Sequence, residues 1–265
     1  MADNSNQEYF NSALKIVLAA GEILLKGFTS PKEISTKKNP QDFVTQYDKL
    51  IEKTIIDNLL KLYPNHKFIA EESAANNVLT TEPTWILDPI DGTTNFVQSF
   101  PFCCISLALA VENDLKLGII YNPILNQLFT AQKGKGAYLN NEKIQVTNTE
   151  VLQNAMFGYD IICLNNEKLI QYHYKNLNII IKNCRGIRSL GSAALTLCYL
   201  AMGAIDLCYF TYLKCWDVAA GILILQESGG IVLDSNGGEY NNIMNASIVA
   251  ASTRKLIEEY LSITK

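Results

Sequence analysis

The 265 residues, 48% hydrophobic and 18% charged, suffice for one large domain or two closely packed halves, and they exclude a disordered chain. Twenty-two basic against 26 acidic side chains give a net charge of −4, which argues against general affinity for nucleic acid or an anionic membrane. A local acidic cluster that binds cations remains compatible with that balance. No apolar run approaches the roughly 20 residues of a membrane span. The polar start, Met1 to Glu8, lacks the basic and apolar regions of a signal peptide. The seven cysteines (103, 104, 163, 184, 198, 208 and 215) form no C-x-x-C pair and sit mostly in apolar runs. They read as reduced core thiols of a soluble, cytoplasmic protein.

In chain order, Ser5-x-x-Glu8 has the form of a capping box, followed by Phe10, Leu14, Val17, Leu18, Leu24, Leu25 and Phe28 at helical spacing. A long amphipathic helix to about Phe28 is expected. A polar segment carrying Lys37 and Lys38 leads to the short apolar Phe43-Val44-Thr45. A second helix is predicted from about Asp48 to Leu62, with Ile51, Ile55 and Leu59 on one face and Tyr63-Pro64-Asn65 as its stop. Lys67 to Ala70 reads as a strand with Glu71-Glu72-Ser73 at its end. The segments 103–111, 117–121 and 128–132 read as three successive antiparallel strands, and Asn140-Asn141 as another hairpin. Lys133-Gly134-Lys135-Gly136 lacks the spacing of a P-loop and reads as a turn. In the second half, Ala155 to Tyr159 predicts a strand and Glu167 to Leu177 a weak helix. Gly191 opens a buried helix to about Met202, and Ile205 to Tyr212 is a strand. Trp216-Asp217 opens another buried helix ending at Gly229-Gly230. Two short strands and a helix over Thr253–Leu261 complete the chain. There is no repeat or low-complexity tract, and His66 and His173, outside any metal-binding pattern, read as surface residues.

The most informative stretch is Trp85 to Phe96. Trp85-Ile86-Leu87 reads as a buried strand that stops at Asp88, because Pro89 has no N–H and a fixed φ. Asp91-Gly92 reads as a helix entry, with Asp91 as the cap and Gly92 allowing close backbone approach. Unpaired N–H groups at such an entry can seat a phosphate. Two carboxylates beside an anion require cations between them, and hard divalent ions, Mg²⁺ above all, suit oxygen ligands and phosphate together. Taken alone, the same residues also spell a common surface turn. Likewise the adjacent Glu71 and Glu72 are by themselves ordinary surface residues.

Acidic residues nevertheless recur at strand ends and helix starts: Asp48, Glu71-Glu72, Asp88 with Asp91, and Asp217. Such a set, gathered to one sheet edge, is how a two-metal phosphatase site is built. Glu71-Glu72-Ser73, Asp88-Pro89-Ile90-Asp91-Gly92-Thr93-Thr94-Asn95-Phe96 and Trp216-Asp217-Val218-Ala219-Ala220-Gly221 resemble the three signatures of the inositol monophosphatase family. That family belongs to the Mg²⁺-dependent, lithium-sensitive sugar phosphatases. The resemblance covers essentially the whole chain and includes segments 37–48, 133–137 and 186–193.

The resemblance implies an α+β fold, the layered α/β/α/β/α sandwich, as one domain over 1–265 with two closely packed halves, about 1–150 and 151–265. A homodimer is usual, with no nucleic-acid or membrane partner. It implies hydrolysis of inositol monophosphate by metal-activated water with two to three Mg²⁺ ions. Glu71, Asp88 and the Ile90 carbonyl would hold the first ion, Asp88, Asp91 and Asp217 a second, and Glu71 would touch a third. Phosphate would rest on the N–H groups of Gly92 and Thr93. Thr93, held by Asp48 with Glu72 close by, would orient and deprotonate the water. Asp91, Gly191, Ser192 and Ala193 would line the sugar side, and Lys37 would act electrostatically. One departure stands out: Phe210 occupies the position where inositol-specific members usually carry a glutamate that accepts substrate hydroxyls. Phenylalanine cannot accept a hydrogen bond. The alternatives are a 3′-phosphonucleotide, fructose bisphosphate or histidinol phosphate as substrate, or a non-catalytic regulatory relative.

Overall fold

The computed structural model describes residues 2–36, 43–161 and 167–264. Lys37 and Cys163 lie outside the described residues. Two sheets alternate with three helical layers. The first sheet has seven strands in the order β3 (Lys67–Ala70), β4 (Thr84–Asp91), β5 (Cys104–Val111), β6 (Asp114–Asn122), β7 (Gln127–Gln132), β8 (Gly136–Leu139), β9 (Glu142–Ile144). β3 and β4 run parallel, and the rest of this sheet is an antiparallel meander. A small ribbon, β1 (Ile34–Thr36) with β2 (Phe43–Thr45), stands apart. The second sheet has five strands, in the order β11 (Gly186–Arg188), β10 (Met156–Gly158), β12 (Leu207–Phe210), β14 (Ile248–Ala251), β13 (Ile231–Asp234).

Strand periodicity explains the layering. On β4, Trp85 and Leu87 point to one face while Ile86 points to the other, and all three are buried. The Trp85 face packs on Val17 and Leu24 of α1 (Ala2–Thr29) and Ile51, Ile55 and Leu59 of α2 (Gln46–Leu62). The Ile86 face meets α5 (Ala193–Ala201) and α6 (Cys215–Glu227), which fill the space between the sheets and are apolar nearly all round. At Gly118 a Cβ would stand 2.8 Å from the Ala220 carbonyl, so only glycine lets α6 lie this close to β6. The outer face of the second sheet is covered by α4 (Glu167–Asn183) and α7 (Arg254–Thr264) through Ile180, Leu256, Ile257 and Tyr260. The order α/β/α/β/α agrees with the family resemblance.

Several expectations need correction. α1 begins at Ala2, so Ser5 lies inside the helix and is not its cap. β4 does not stop at Pro89 but runs to Asp91, because its pairing with β5 shifts register between Asp88 and Asp91. A proline with no donor is tolerated at such an irregularity. α4 extends to Asn183, and β12 ends at Phe210. His173 is not a surface residue: it is 7% exposed, with Nδ1 2.7 Å from the Tyr159 hydroxyl. His66 is half-buried; its Nδ1 accepts from Trp85 Nε1 at 3.0 Å and its ring stacks on Tyr63. The turn at 133–136 offers no anion seat, since the Glu227 carboxylate already accepts from Gly134 N and Gly136 N.

Candidate active site

The C-terminal end of β4 faces the N-terminal ends of two helices, α5 and α6, across one cavity of about 690 Å³. Glu71, Asp88, Ile90, Asp91, Gly92 and Thr93 line one side, and Asp160, Gly191, Ser192, Ala193, Phe210 and Asp217 line the other. The bulge in β4 aims its carboxylates: Asp88 Oδ1 accepts from Ile90 N at 3.0 Å, which folds the Asp-Pro-Ile segment back on itself. Ligand oxygens of Asp88, Asp91 and Asp217 lie within 4.8 Å of one another. Asp88 is also within hydrogen-bonding reach of the carboxylates of Glu71 and Asp217.

Asp91 does not cap the helix that follows it. The cap of α3 (Thr93–Val97) is Gly92 at φ 86°, with no side-chain bond. A Cβ there would lie 2.8 Å from the Phe102 carbonyl, so the position requires glycine on both counts. The Asp91 carboxylate reaches instead across the cavity to the start of α5. Its Oδ2 accepts from Ser192 Oγ and, at 2.9 Å, from Ala194 N. The first helical N–H groups need such an acceptor, and the helix dipole favours a negative charge there. Asp217 and Asp48 occupy equivalent places in their own helices. Each is the third residue and takes the N–H of the preceding cap, Lys214 at 2.7 Å and Thr45 at 2.8 Å. Three helix starts thereby hold three carboxylates in place.

The charges are strongly frustrated. Burial first, then the charges of Glu71, Asp91 and Asp217, push Asp88 well above the ordinary carboxylate range. Burial raises Asp91 to about 6 against the opposing bonds from Ser192 and Ala194. Burial and the Asp91 charge raise Asp217 to about 8. Burial likewise raises Asp48, although the Thr45 bonds oppose it. No lysine or arginine among the described residues lines the cavity. Buried, unbalanced, oxygen-only donors fit hard divalent cations.

Thr93 Oγ1 stands 3.0 Å from the Ile90 carbonyl and 3.4 Å from Asp48 Oδ1, so its single hydroxyl hydrogen has two competing acceptors. Glu72 lies apart from this group. Its charge is felt by Asp48, but it lines a separate surface cavity with Glu52, Lys53 and Ser73. Gly191, Ser192 and Ala193 face the cavity opposite Gly92 and Thr93. Phe210 lines it as well, at 4% exposure, with its back in the central core.

Two positioning residues escaped sequence reasoning. Asn95 Nδ2 donates to the Phe102 and Leu190 carbonyls, both at 2.7 Å, and so ties α3 to the 190–191 loop. Asp160 Oδ1 accepts from Gly191 N and Ser189 Oγ, both at 3.0 Å. Asn95 sits inside the Asp88–Phe96 signature and could have been suspected, whereas nothing local marks Asp160.

Known proteins resemble this chain along nearly its full length. The model of the inositol monophosphatase family matches residues 5–265. Human inositol monophosphatase 2 is 40% identical over 254 residues, which is 94% of this chain and 88% of that protein. The extragenic suppressor protein suhB of Bartonella henselae superposes with a TM-score of 0.88 at 32% identity, covering 97% of this chain and 98% of that one. The Thermotoga maritima IMPase superposes with a TM-score of 0.87 at 30% identity, covering 97% and 96%. With this fold and this array of carboxylates, the chain is a phosphatase that belongs to the inositol monophosphatase family.

Proposed function

We propose that the protein is a Mg²⁺-dependent phosphomonoesterase that hydrolyses inositol monophosphate to inositol and phosphate. One observation carries the reading: Asp88, Asp91 and Asp217 converge to within 4.8 Å in a cavity that supplies no basic side chain from the described residues. Glu71, Asp88 and the Ile90 carbonyl would hold one ion, and Asp88, Asp91 and Asp217 a second, with Glu71 also touching a third. Mg²⁺ held by these residues would offset the carboxylate charge and would supply the acidity by which a water loses its proton near neutral pH.

The chain's own groups do the rest. The N–H groups of Gly92 and Thr93, residues that line the cavity with Gly92 at positive φ, would hold phosphate oxygens. Thr93 would orient the attacking water. Asp48, already raised by burial, would take its proton through the Thr93 hydroxyl 3.4 Å away. Glu72, which lines a separate cavity, would act on Asp48 only through its charge. Gly191, Ser192 and Ala193 would flank the alcohol, and Lys37 would contribute positive charge. A homodimer in the cytoplasm, inhibited by lithium, completes the proposal on family likeness.

A panel of esters at equal concentration tests it: inositol 1-phosphate, fructose 1,6-bisphosphate, a 3′-phosphonucleotide and histidinol phosphate, each with Mg²⁺ and with chelator. The highest kcat/KM is expected for inositol 1-phosphate, with Mg²⁺ only. A higher value for another ester would reassign the substrate. Failure to hydrolyse any of them would favour a regulatory relative.

A further inference from the structure

The carboxylates of the cavity are unevenly placed. Glu71, Asp88, Asp91 and Asp217 cluster at the end where metal ions belong. Asp160 is the only other carboxylate among the described residues that lines the cavity. It follows β10 and stands beside the 189–191 loop, which packs against Asn95. That loop leads into Ser192 and Ala194, whose hydroxyl and N–H are bound to Asp91. Asp160 and Asp91 thus flank the same turn, Asp91 toward the ions and Asp160 toward the alcohol side. Beyond the ion cluster the cavity lining includes Tyr159, Tyr172, His173, Tyr209, Phe210 and Leu213, and none of these carries a charged acceptor.

We infer that Asp160 is a specificity-determining residue whose carboxylate accepts the hydroxyl hydrogens of a polyhydric alcohol esterified to the phosphate. The inference rests on the proposed hydrolysis of inositol monophosphate and deepens it. The bonds from Gly191 N and Ser189 Oγ, each 3.0 Å, fix the plane of the carboxylate through Oδ1. The Leu190 backbone adds a third bond to this carboxylate, and with about four lone-pair sites one position remains for substrate. A preorganised acceptor of this kind discriminates strongly, because an alcohol lacking the hydroxyl leaves a charged group unpaired. Phe210 supplies the complementary apolar surface for the ring carbons.

Cyclohexyl phosphate has the same ring as inositol 1-phosphate and no free hydroxyl, so the ratio of their kcat/KM values reads hydroxyl recognition alone. Asp160→Asn keeps Oδ1 for Gly191 and Ser189 and removes the charge. The ratio should fall roughly ten- to a hundredfold in this variant, the range of a hydrogen bond to a charged group. Phe210→Glu, added to Asp160→Asn, should restore part of the ratio. Equal loss for both esters, or an unchanged ratio, would show a loop anchor only and overturn the inference. Inositol 1-phosphates lacking one ring hydroxyl, tested on the unaltered enzyme, provide a check that needs no variant. At least one should lose roughly tenfold in kcat/KM, and equal tolerance of all of them would also overturn the inference. If the unaltered enzyme hydrolyses both esters without preferring inositol 1-phosphate, the proposed substrate fails and the inference fails with it.

Discussion

The two walls of the cavity are made in different ways. The wall carrying Glu71, Asp88, Asp91 and Thr93 comes from adjacent strand ends, a bulge and a tight turn within one short run of sequence. The facing wall is assembled from β10, the 189–193 loop, β12 and the start of α6, which are spread over residues 156–217. The first wall is charged and frustrated, whereas the second is largely apolar apart from Asp217 at the start of α6, which joins the ion cluster, and Asp160, its one further carboxylate among the described residues. On the proposed function the difference would separate chemistry from selection: the first wall would hold what any phosphate ester presents, and the other would meet the part of the ester that varies.

Breaking the first wall should have the largest effect. Asp88→Asn removes a group shared by both proposed ions, and kcat should fall by orders of magnitude. The same change relieves repulsion among buried carboxylates, so the melting temperature of the metal-free protein should rise or hold. Loss of both activity and folding would show that Asp88 is needed for structure and not for ion binding.

The second effect is on stability. Asp91 at about 6 and Asp217 at about 8 both lie above their ordinary 3.8. Between these limits the folded, metal-free protein binds more protons than the unfolded chain, so its stability falls as pH rises. In chelator the melting temperature should therefore decline from about pH 4 to pH 8, the window between the ordinary 3.8 and the raised values of these two groups. Ions bind the deprotonated form, so Mg²⁺ should stabilise more as pH rises and should shrink or reverse that decline. Identical pH profiles with and without Mg²⁺ would sink the claim that these carboxylates hold the ions.

How much of each wall the sequence revealed follows from the same contrast. The spacing of Asp88, Asp91 and Gly92 is local and, joined to the Glu71-Glu72-Ser73 and Trp216–Gly221 segments, is enough to mark the proposed ion end. The β5–β7 meander is visible because its apolar positions alternate and turn residues punctuate them. The destination of the Asp91 carboxylate was not visible. Its partners, Ser192 and Ala194, lie about a hundred residues away, and local chemistry favoured a cap on the next helix. β4 continues past Pro89 only because neighbouring strands absorb the missing donor in a register shift. His173 reads as exposed in a helix of ordinary polarity, and tertiary packing that includes Tyr159 buries it.

Sharpening the second wall gives smaller effects. Phe210→Glu introduces a charged acceptor on the alcohol side, worth roughly tenfold or more in kcat/KM for inositol 1-phosphate. Glycerol 2-phosphate, with fewer hydroxyls, should change less. Phe210 also contributes to the central core, so melting temperature must be measured alongside. Parallel loss of both activities with a lower melting temperature would mean that the ring's packing outweighs its place in the cavity. The smallest effect expected is partial inhibition by Li⁺ at high Mg²⁺, on the order of tens of millimolar for a loosely coordinated hard-ion site. Full activity at that concentration would count against displacement of the weaker ion.

The central claim is that the carboxylate wall works only with divalent ions. Phosphate release from inositol 1-phosphate, followed in excess chelator and then during stepwise addition of Mg²⁺, tests it most directly. No release before addition is expected, with activity rising to saturation as Mg²⁺ exceeds the chelator. Full release while the chelator is still in excess would contradict the account.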